Sequence, residues 1–197
     1  MNPGKNAPQR GRVMKNAIII HGTEGHPKEN WFPWLKEQLE KHGYDVIIPQ
    51  FPTPKNQNPR AWFGVFKNYE KFLNRDTILI GHSCGGAFLL RVLEKTKTKV
   101  KVAVFVAASA GVKPIKYYEA DRPFVEAPFD WEKIRNSSGH FFVFHSEDDP
   151  LICIANGEKI AKELGVELIR LKDAGHFNSK AGYDKFGLLL EKLEPIL

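Results

Sequence analysis

Six short apolar runs rich in β-branched or aromatic residues recur along the chain, and each gives way to turn residues and then to helical periodicity. They are Asn16 to Ile20, Asp45 to Pro49, Thr77 to Ile80, Lys101 to Ala107, Phe141 to His145 and Glu167 to Lys172. Between the first two, residues 31–42 place Trp31, Trp34, Leu35 and Leu39 on one helical face. Trp62, Val65, Phe66, Tyr69, Phe72 and Leu73 form a second stripe, opened by Asn58 as cap and Pro59 as first-turn residue. Further helices are predicted over Gly85 to Lys95, Ala155 to Leu164 and Tyr183 to Leu193.

Strict alternation of strand and helix implies an α/β protein with a parallel sheet, covered by helices on both faces. A closed barrel needs eight strand-helix units, typically in about 250 residues, so six units in 197 residues point to an open, mostly parallel six-stranded sheet. No internal repeat or linker divides residues 16–197, which reads as one domain. One connection breaks the rhythm. Between Ala107 and Phe141 the chain carries Tyr117, Tyr118, Phe124, Phe129 and Trp131, more than a simple crossover requires. It reads as a short helix around Trp131 to Arg135, preceded by a small cap over the carboxyl edge of the sheet; the alternative is that these aromatics only cover the core.

The strand Thr77 to Ile80 runs directly into Gly81-His82-Ser83-Cys84-Gly85-Gly86, and helical spacing resumes at once. As a bare string Gly-x-Ser-x-Gly is a weak signal, but between a strand and a helix it describes a nucleophile elbow. A serine on so sharp a turn is held in strained backbone geometry, and the small residues Gly81 and Gly85 avoid a clash. Ser83 would then stand above the sheet at the start of a helix whose amides face developing negative charge.

A serine hydroxyl needs a base, and the base needs a partner that fixes its tautomer. In this fold the chain order is Ser, then Asp or Glu, then His. His176 follows the last strand in Asp173-Ala174-Gly175-His176-Phe177 and is the base of choice. His82 is expected to point away from the site, and His145 and His140 belong to a strand and its approach. Three consecutive carboxylates, Glu147, Asp148 and Asp149, follow the fifth strand. Asp149 is favoured because Pro150 fixes the backbone after it, with Asp148 as runner-up. The oxyanion site would combine the backbone amide of Cys84 with that of Thr23, in the loop His21-Gly22-Thr23-Glu24-Gly25 after the first strand. Such donors contribute about 2.7–4 kcal/mol each.

Net charge changes this picture little. The formal charge is +6, but Lys5, Arg10, Arg12 and Lys15 crowd residues 1–15 with no acid among them, and without them 25 basic residues face 23 acidic ones. The basicity reads as a flexible tail, so no nucleic-acid partner is expected. No apolar stretch approaches a bilayer span, and no membrane association is expected. Two cysteines, Cys84 and Cys153, make no disulfide framework, and a reducing, cytoplasmic setting is expected. The first loop lacks the Gly-x-Gly-x-x-Gly spacing of a dinucleotide site. His21 with His26, and His140 with His145, lack the carboxylates a metal site needs, so no cofactor and no metal are expected.

The set His21-Gly22-Thr23, Trp31 and Trp34, Gly81-His82-Ser83, Trp131-Glu132-Lys133-Ile134, Ser146-Glu147-Asp148-Asp149-Pro150 and Gly175-His176-Phe177 resembles a family of small α/β-hydrolase-fold serine hydrolases, the one that includes the retinoblastoma-binding serine hydrolase. The resemblance spans almost the whole chain after residue 15. It implies a triad of Ser83, Asp149 and His176, and it selects Asp149 where spacing alone does not. Two residues depart from the pattern: Cys84 stands where serine is expected and His21 where proline is expected. The Leu-x-Cys-x-Glu signature for pocket-protein contact is absent, the nearest string ending at Ala155. The expected activity is cleavage of small carboxylic esters or amides through an acyl-serine, on a small-molecule acyl substrate. The competing readings are an acyltransferase or thioesterase with the same triad, and a non-catalytic binding protein on this scaffold.

Overall fold

A computed structural model describes residues 14–197; the expected tail therefore falls almost wholly outside the described residues. In chain order the elements are β1 (Asn16–Ile20), α1 (Phe32–Lys41), β2 (Asp45–Ile47), α2 (Pro59–Phe66), β3 (Ile78–His82), α3 (Cys84–Lys95), β4 (Val100–Val106), α4 (Tyr118–Val125), α5 (Trp131–Asn136), β5 (Ser138–Ser146), α6 (Ala155–Leu164), β6 (Leu168–Leu171) and α7 (Gly187–Leu193). The six strands form one open sheet in the order β2-β1-β3-β4-β5-β6, and every neighbouring pair is parallel.

Alternating strand residues feed two cores, one on each face. Ile18, Ile20, Leu79, Ala103 and Phe105 pack with α2, α3, α5 and α6 through Trp62, Phe66, Phe88, Leu89, Ile134 and Ile160. Ala17, Ile19, Ile78, Ile80, Val102 and Val104 pack with α1 and α7 through Phe32, Leu35, Leu39, Leu189 and Leu193. The near-continuous apolar runs of β1, β3 and β4 reflect this double coverage.

The order of the strands positions the site. After β1 the chain first adds β2 on one side, then returns to build β3 to β6 on the other. The loops after β1 and β3 therefore diverge at a topological switch point, where open α/β sheets place their ligand crevice.

Local departures from the expected elements have identifiable causes. The stripe from Trp62 to Leu73 is not one helix: α2 ends at Phe66, tighter turns follow, and a 3₁₀ turn at Glu70–Phe72 carries the stripe on. β5 starts at Ser138, because Ser138 pairs with Val100 although Gly139 and His140 offer no apolar signal. α7 starts at Gly187, while Tyr183 and Phe186 instead pack their rings 5.1 and 5.2 Å from Phe177. The excursion after β4 holds the unforeseen helix α4, tied down by an isolated bridge between Ile115 and Ile152. Both readings of its aromatics apply: Phe124 is fully buried and Phe129 nearly so, whereas Tyr117 is exposed and lines the cleft beside Ser83.

Candidate active site

Ser83 joins β3 to α3 with φ 58° and ψ −128°. That region costs a non-glycine residue on the order of 1–3 kcal/mol and persists only when its surroundings over-determine it. Here they do. The Ser83 N–H donates to the Val106 carbonyl at 3.0 Å, and its own carbonyl accepts from the Gly86 and Ser109 amides at 2.9 and 3.3 Å. The flanking glycines are steric necessities: a Cβ on Gly81 would lie 2.7 Å from the Gly85 oxygen, and one on Gly85 only 2.3 Å from the Ile20 oxygen. The loop after β1 closes down on the serine, since a Cβ on Gly22 would come within 2.7 Å of the Ser83 Cβ.

Ser83 and His176 line one cleft of about 360 Å³, together with Gly22, Thr23, Glu29 and Tyr117. Behind His176 lies Asp149, whose side chain is wholly buried. His176 Nδ1 meets both carboxylate oxygens, at 2.8 Å for Oδ2 and 3.0 Å for Oδ1, and Oδ1 also accepts the Leu151 and Ile152 amides at 2.8 and 3.1 Å. With Nδ1 so occupied, Nε2 is the nitrogen left to serve the cleft. Asp148, the runner-up carboxylate, has a different task. It accepts hydrogen bonds from the Ser146 hydroxyl and the Gly175 amide, which hold its carboxyl below the usual carboxylate range and pin the loop carrying His176. Ser146 adds a second tie, accepting the Ala174 amide at 2.9 Å.

Three other histidines, His82, His21 and His145, are buried around the site. His82 does not simply point elsewhere, as the sequence reading has it: its Nε2–H donates to the His176 carbonyl at 2.8 Å, and the two rings lie 4.9 Å apart. Trp31 holds the same loop, its indole N–H donating to the Phe177 carbonyl at 2.9 Å. His21 is bonded at both nitrogens, donating from Nδ1 to the Gly22 carbonyl at 2.9 Å and accepting the Phe51 amide on Nε2 at 3.0 Å. His145 donates from Nε2 to the Ile152 carbonyl at 2.9 Å. Among the described residues no group of three or more His, Cys, Asp or Glu is placed to hold a metal ion.

Burial lowers the proton affinity of His21, His82 and His145, and takes His82 down to about 3, with the neighbouring His176 adding to the effect. The unfolded chain binds these protons near pH 6.5, so below that pH it holds more protons than the folded one, and stability falls as pH falls. For His82 the loss continues down to about pH 3 and amounts to about 2 kcal/mol at pH 5. Urea midpoints measured at pH 7 and pH 5 should show a clear drop at the lower value; equal midpoints would contradict the neutral burial of these rings.

Of the two proposed oxyanion donors, Thr23 borders the cleft, and Cys84 opens α3, where a helix amide has no intrahelical partner. The Cys84 thiol itself is fully buried and pushed well above its ordinary range by that burial, so its side chain is no rival nucleophile. Two residues that the sequence reading did not single out stand behind both donors: Gln57, from the loop before α2, and Asp121, from α4.

A parallel sheet in this order, with a strained serine on the turn after β3, defines an α/β-hydrolase-fold protein. The chain belongs to the serine hydrolase family, whose model matches residues 17–194. It is 27% identical over 181 residues to the ydeN gene product of Bacillus subtilis (strain 168), covering 92% of this chain and 95% of that protein. The crystal structure of that product superposes with a TM-score of 0.86 over 93% of this chain and 98% of that one. Serine hydrolase RBBP9 of Rattus norvegicus is 26% identical over 185 residues, covering 92% and 97%. A more remote likeness, in fold alone, is Est1E of Butyrivibrio proteoclasticus with ferulic acid bound, at 15% identity, a TM-score of 0.67 and coverage of 96% and 94%. Among the described residues no helix is long and apolar enough to cross a membrane.

Proposed function

We propose that the chain hydrolyses small carboxylic esters through an acyl-serine intermediate, with Ser83, His176 and Asp149 as its triad. The observation that carries this reading is the placement of the His176 imidazole: one nitrogen is anchored on a buried carboxylate, and the ring borders the cleft that the strained Ser83 also lines. Ser83 Oγ attacks the ester carbonyl carbon as its proton passes to His176 Nε2. The amides of Thr23 and Cys84 hold the oxyanion that forms. Collapse expels the alcohol, which takes the proton from His176. Water then attacks the acyl-serine with the same base, and the carboxylic acid leaves.

Short acyl groups fit best. The recess beside Ser83, walled by Ile115, Tyr117, Asp121, Leu151 and Ile152, holds only about 10 Å³, room for about one water. The open cleft above it is mixed, with Glu24, Glu29 and Lys180 on its walls, and suits a polar leaving group. A fluorophosphonate probe should label the folded protein at Ser83, and specificity across p-nitrophenyl esters should fall as the acyl chain lengthens from acetate to decanoate. Folded protein that takes no label would point instead to a binding role on this scaffold.

A further inference from the structure

Cap helix α4 reaches across the site and touches it through one carboxylate. Asp121 is 2% exposed, and the Thr23 hydroxyl donates to its Oδ1 at 2.9 Å. The same hydroxyl oxygen accepts the Gln57 side-chain amide at 2.7 Å. That amide also reaches the Ala120 carbonyl on α4 at 3.2 Å and the Cys84 sulfur at 3.5 Å. On its other side, the Gln57 oxygen accepts the Thr53 hydroxyl, and the Thr53 oxygen accepts the Glu24 amide at 2.7 Å. The Thr23 side chain, the Glu24 amide and the side chain of Cys84 are thus tied to one network centred on the buried Gln57 and Asp121.

Building on the proposed oxyanion donors, we infer that Asp121 and Gln57 are positioning residues for the oxyanion site: through the Thr23 side chain they fix the loop whose amide completes it, so that α4 sets its geometry. Three observations separate this from ordinary cap packing. The contacts converge on the two residues whose amides are the proposed oxyanion donors, rather than spreading along the helix. Its two central side chains, Asp121 and Gln57, are buried, where misplacing a hydrogen-bonding group is costly. And Asp121 has no cation among these partners, while burial pushes its carboxyl up, so its tie to the site is the hydrogen bond from Thr23 rather than an ion pair. Loss of the network should therefore misalign a donor that matters mainly in the transition state, and lower kcat while sparing KM.

The test uses p-nitrophenyl acetate with the full-length protein. Asp121→Ala and Thr23→Val should each lower kcat about 10–100-fold, with KM within about threefold of wild type. The double variant should be no more than about threefold worse than either single one, because both remove the same bond. Asp121→Asn, which keeps an acceptor oxygen for the Thr23 hydroxyl, should return kcat to within about fivefold of wild type. Affinity for phenylboronic acid, which forms a tetrahedral adduct on a reactive serine, should weaken in step with kcat. Where Asp121→Ala does not fold, Thr23→Val and Asp121→Asn carry the comparison, with denaturation midpoints taken for each. The inference is overturned if the effects of the two single variants multiply, if KM rises while kcat holds, or if Asp121→Asn is as poor as Thr23→Val. Failure of the triad reading looks different: there Ser83→Ala itself would retain activity, whatever the Thr23 and Asp121 variants do.

Discussion

Ser83→Ala is expected to lower ester turnover by about 10⁵–10⁶-fold, His176→Ala to do nearly the same, and the double variant to be no worse than either. The reasoning is that the two groups act as one unit. Without the base, the hydroxyl keeps its proton at neutral pH; without the hydroxyl, the base has nothing to activate but water in an unsuitable place. What remains is the modest catalysis of an oxyanion site and a binding cleft. Folding should be spared. The bonds that hold position 83 are made by its backbone N–H and carbonyl, to Val106, Gly86 and Ser109, and alanine keeps all of them. Initial rates with p-nitrophenyl acetate, beside denaturation midpoints of the same preparations, check both halves. A folded Ser83→Ala protein with more than about a tenth of wild-type activity would falsify the assignment.

The centre of the sheet was legible in the sequence because β1, β3 and β4 are buried on both faces. β1 and the helix α6 emerge with the boundaries the pattern predicts, since apolar density and turn chemistry change together at both ends. β5 is longer than expected for a reason the pattern cannot carry: Ser138, Gly139 and His140 are in the strand because β4 offers a partner, not because they bury apolar surface. α4 was hidden by Pro123, a helix breaker by propensity, although Asp121, Phe124 and Val125 lie at the i, i+3 and i+4 spacing of a buried face. The acidic residue disguised the stripe, because a carboxylate is rarely fully buried unless paired.

The convergence of the proposed triad residues was legible for another reason. A strained turn demands glycine at fixed offsets, and an ordered set of serine, carboxylate and histidine after successive strands converges on one edge of a parallel sheet. What spacing left open was which of three adjacent carboxylates faces the histidine; in the structure Asp149 does, while Asp148 holds the Gly175 amide. The supporting residues had no such signature. His21, out of line with the resemblance, bridges the first loop to Phe51 with both ring nitrogens, so that proline's rigidity is replaced by two hydrogen bonds. Gln57 and Asp121 lie far apart in the chain and meet only because α4 folds back over the loop after β1, a contact no local period encodes.

Asp149→Asn should lower kcat by about 10⁴-fold and leave the protein folded. The structure makes the two effects separable. Asparagine keeps an oxygen that can accept the Leu151 and Ile152 amides, so the turn after β5 retains its internal bonds. Its amino group, however, would face His176 Nδ1, which accepts that bond only by moving its proton to Nε2. The nitrogen facing the cleft then carries a hydrogen and cannot take one from Ser83. Asp149→Ala should add a stability loss of about 1–3 kcal/mol, because it leaves two part-buried amides without their acceptor as well as releasing the imidazole. His145 offers no substitute anchor, since its own Nε2 is committed to the Ile152 carbonyl. Steady-state kinetics and urea denaturation of the two variants check this. An Asp149→Asn protein within about tenfold of wild-type kcat would mean that His176 takes its orientation from another group, such as the His82 and Trp31 contacts that hold its loop.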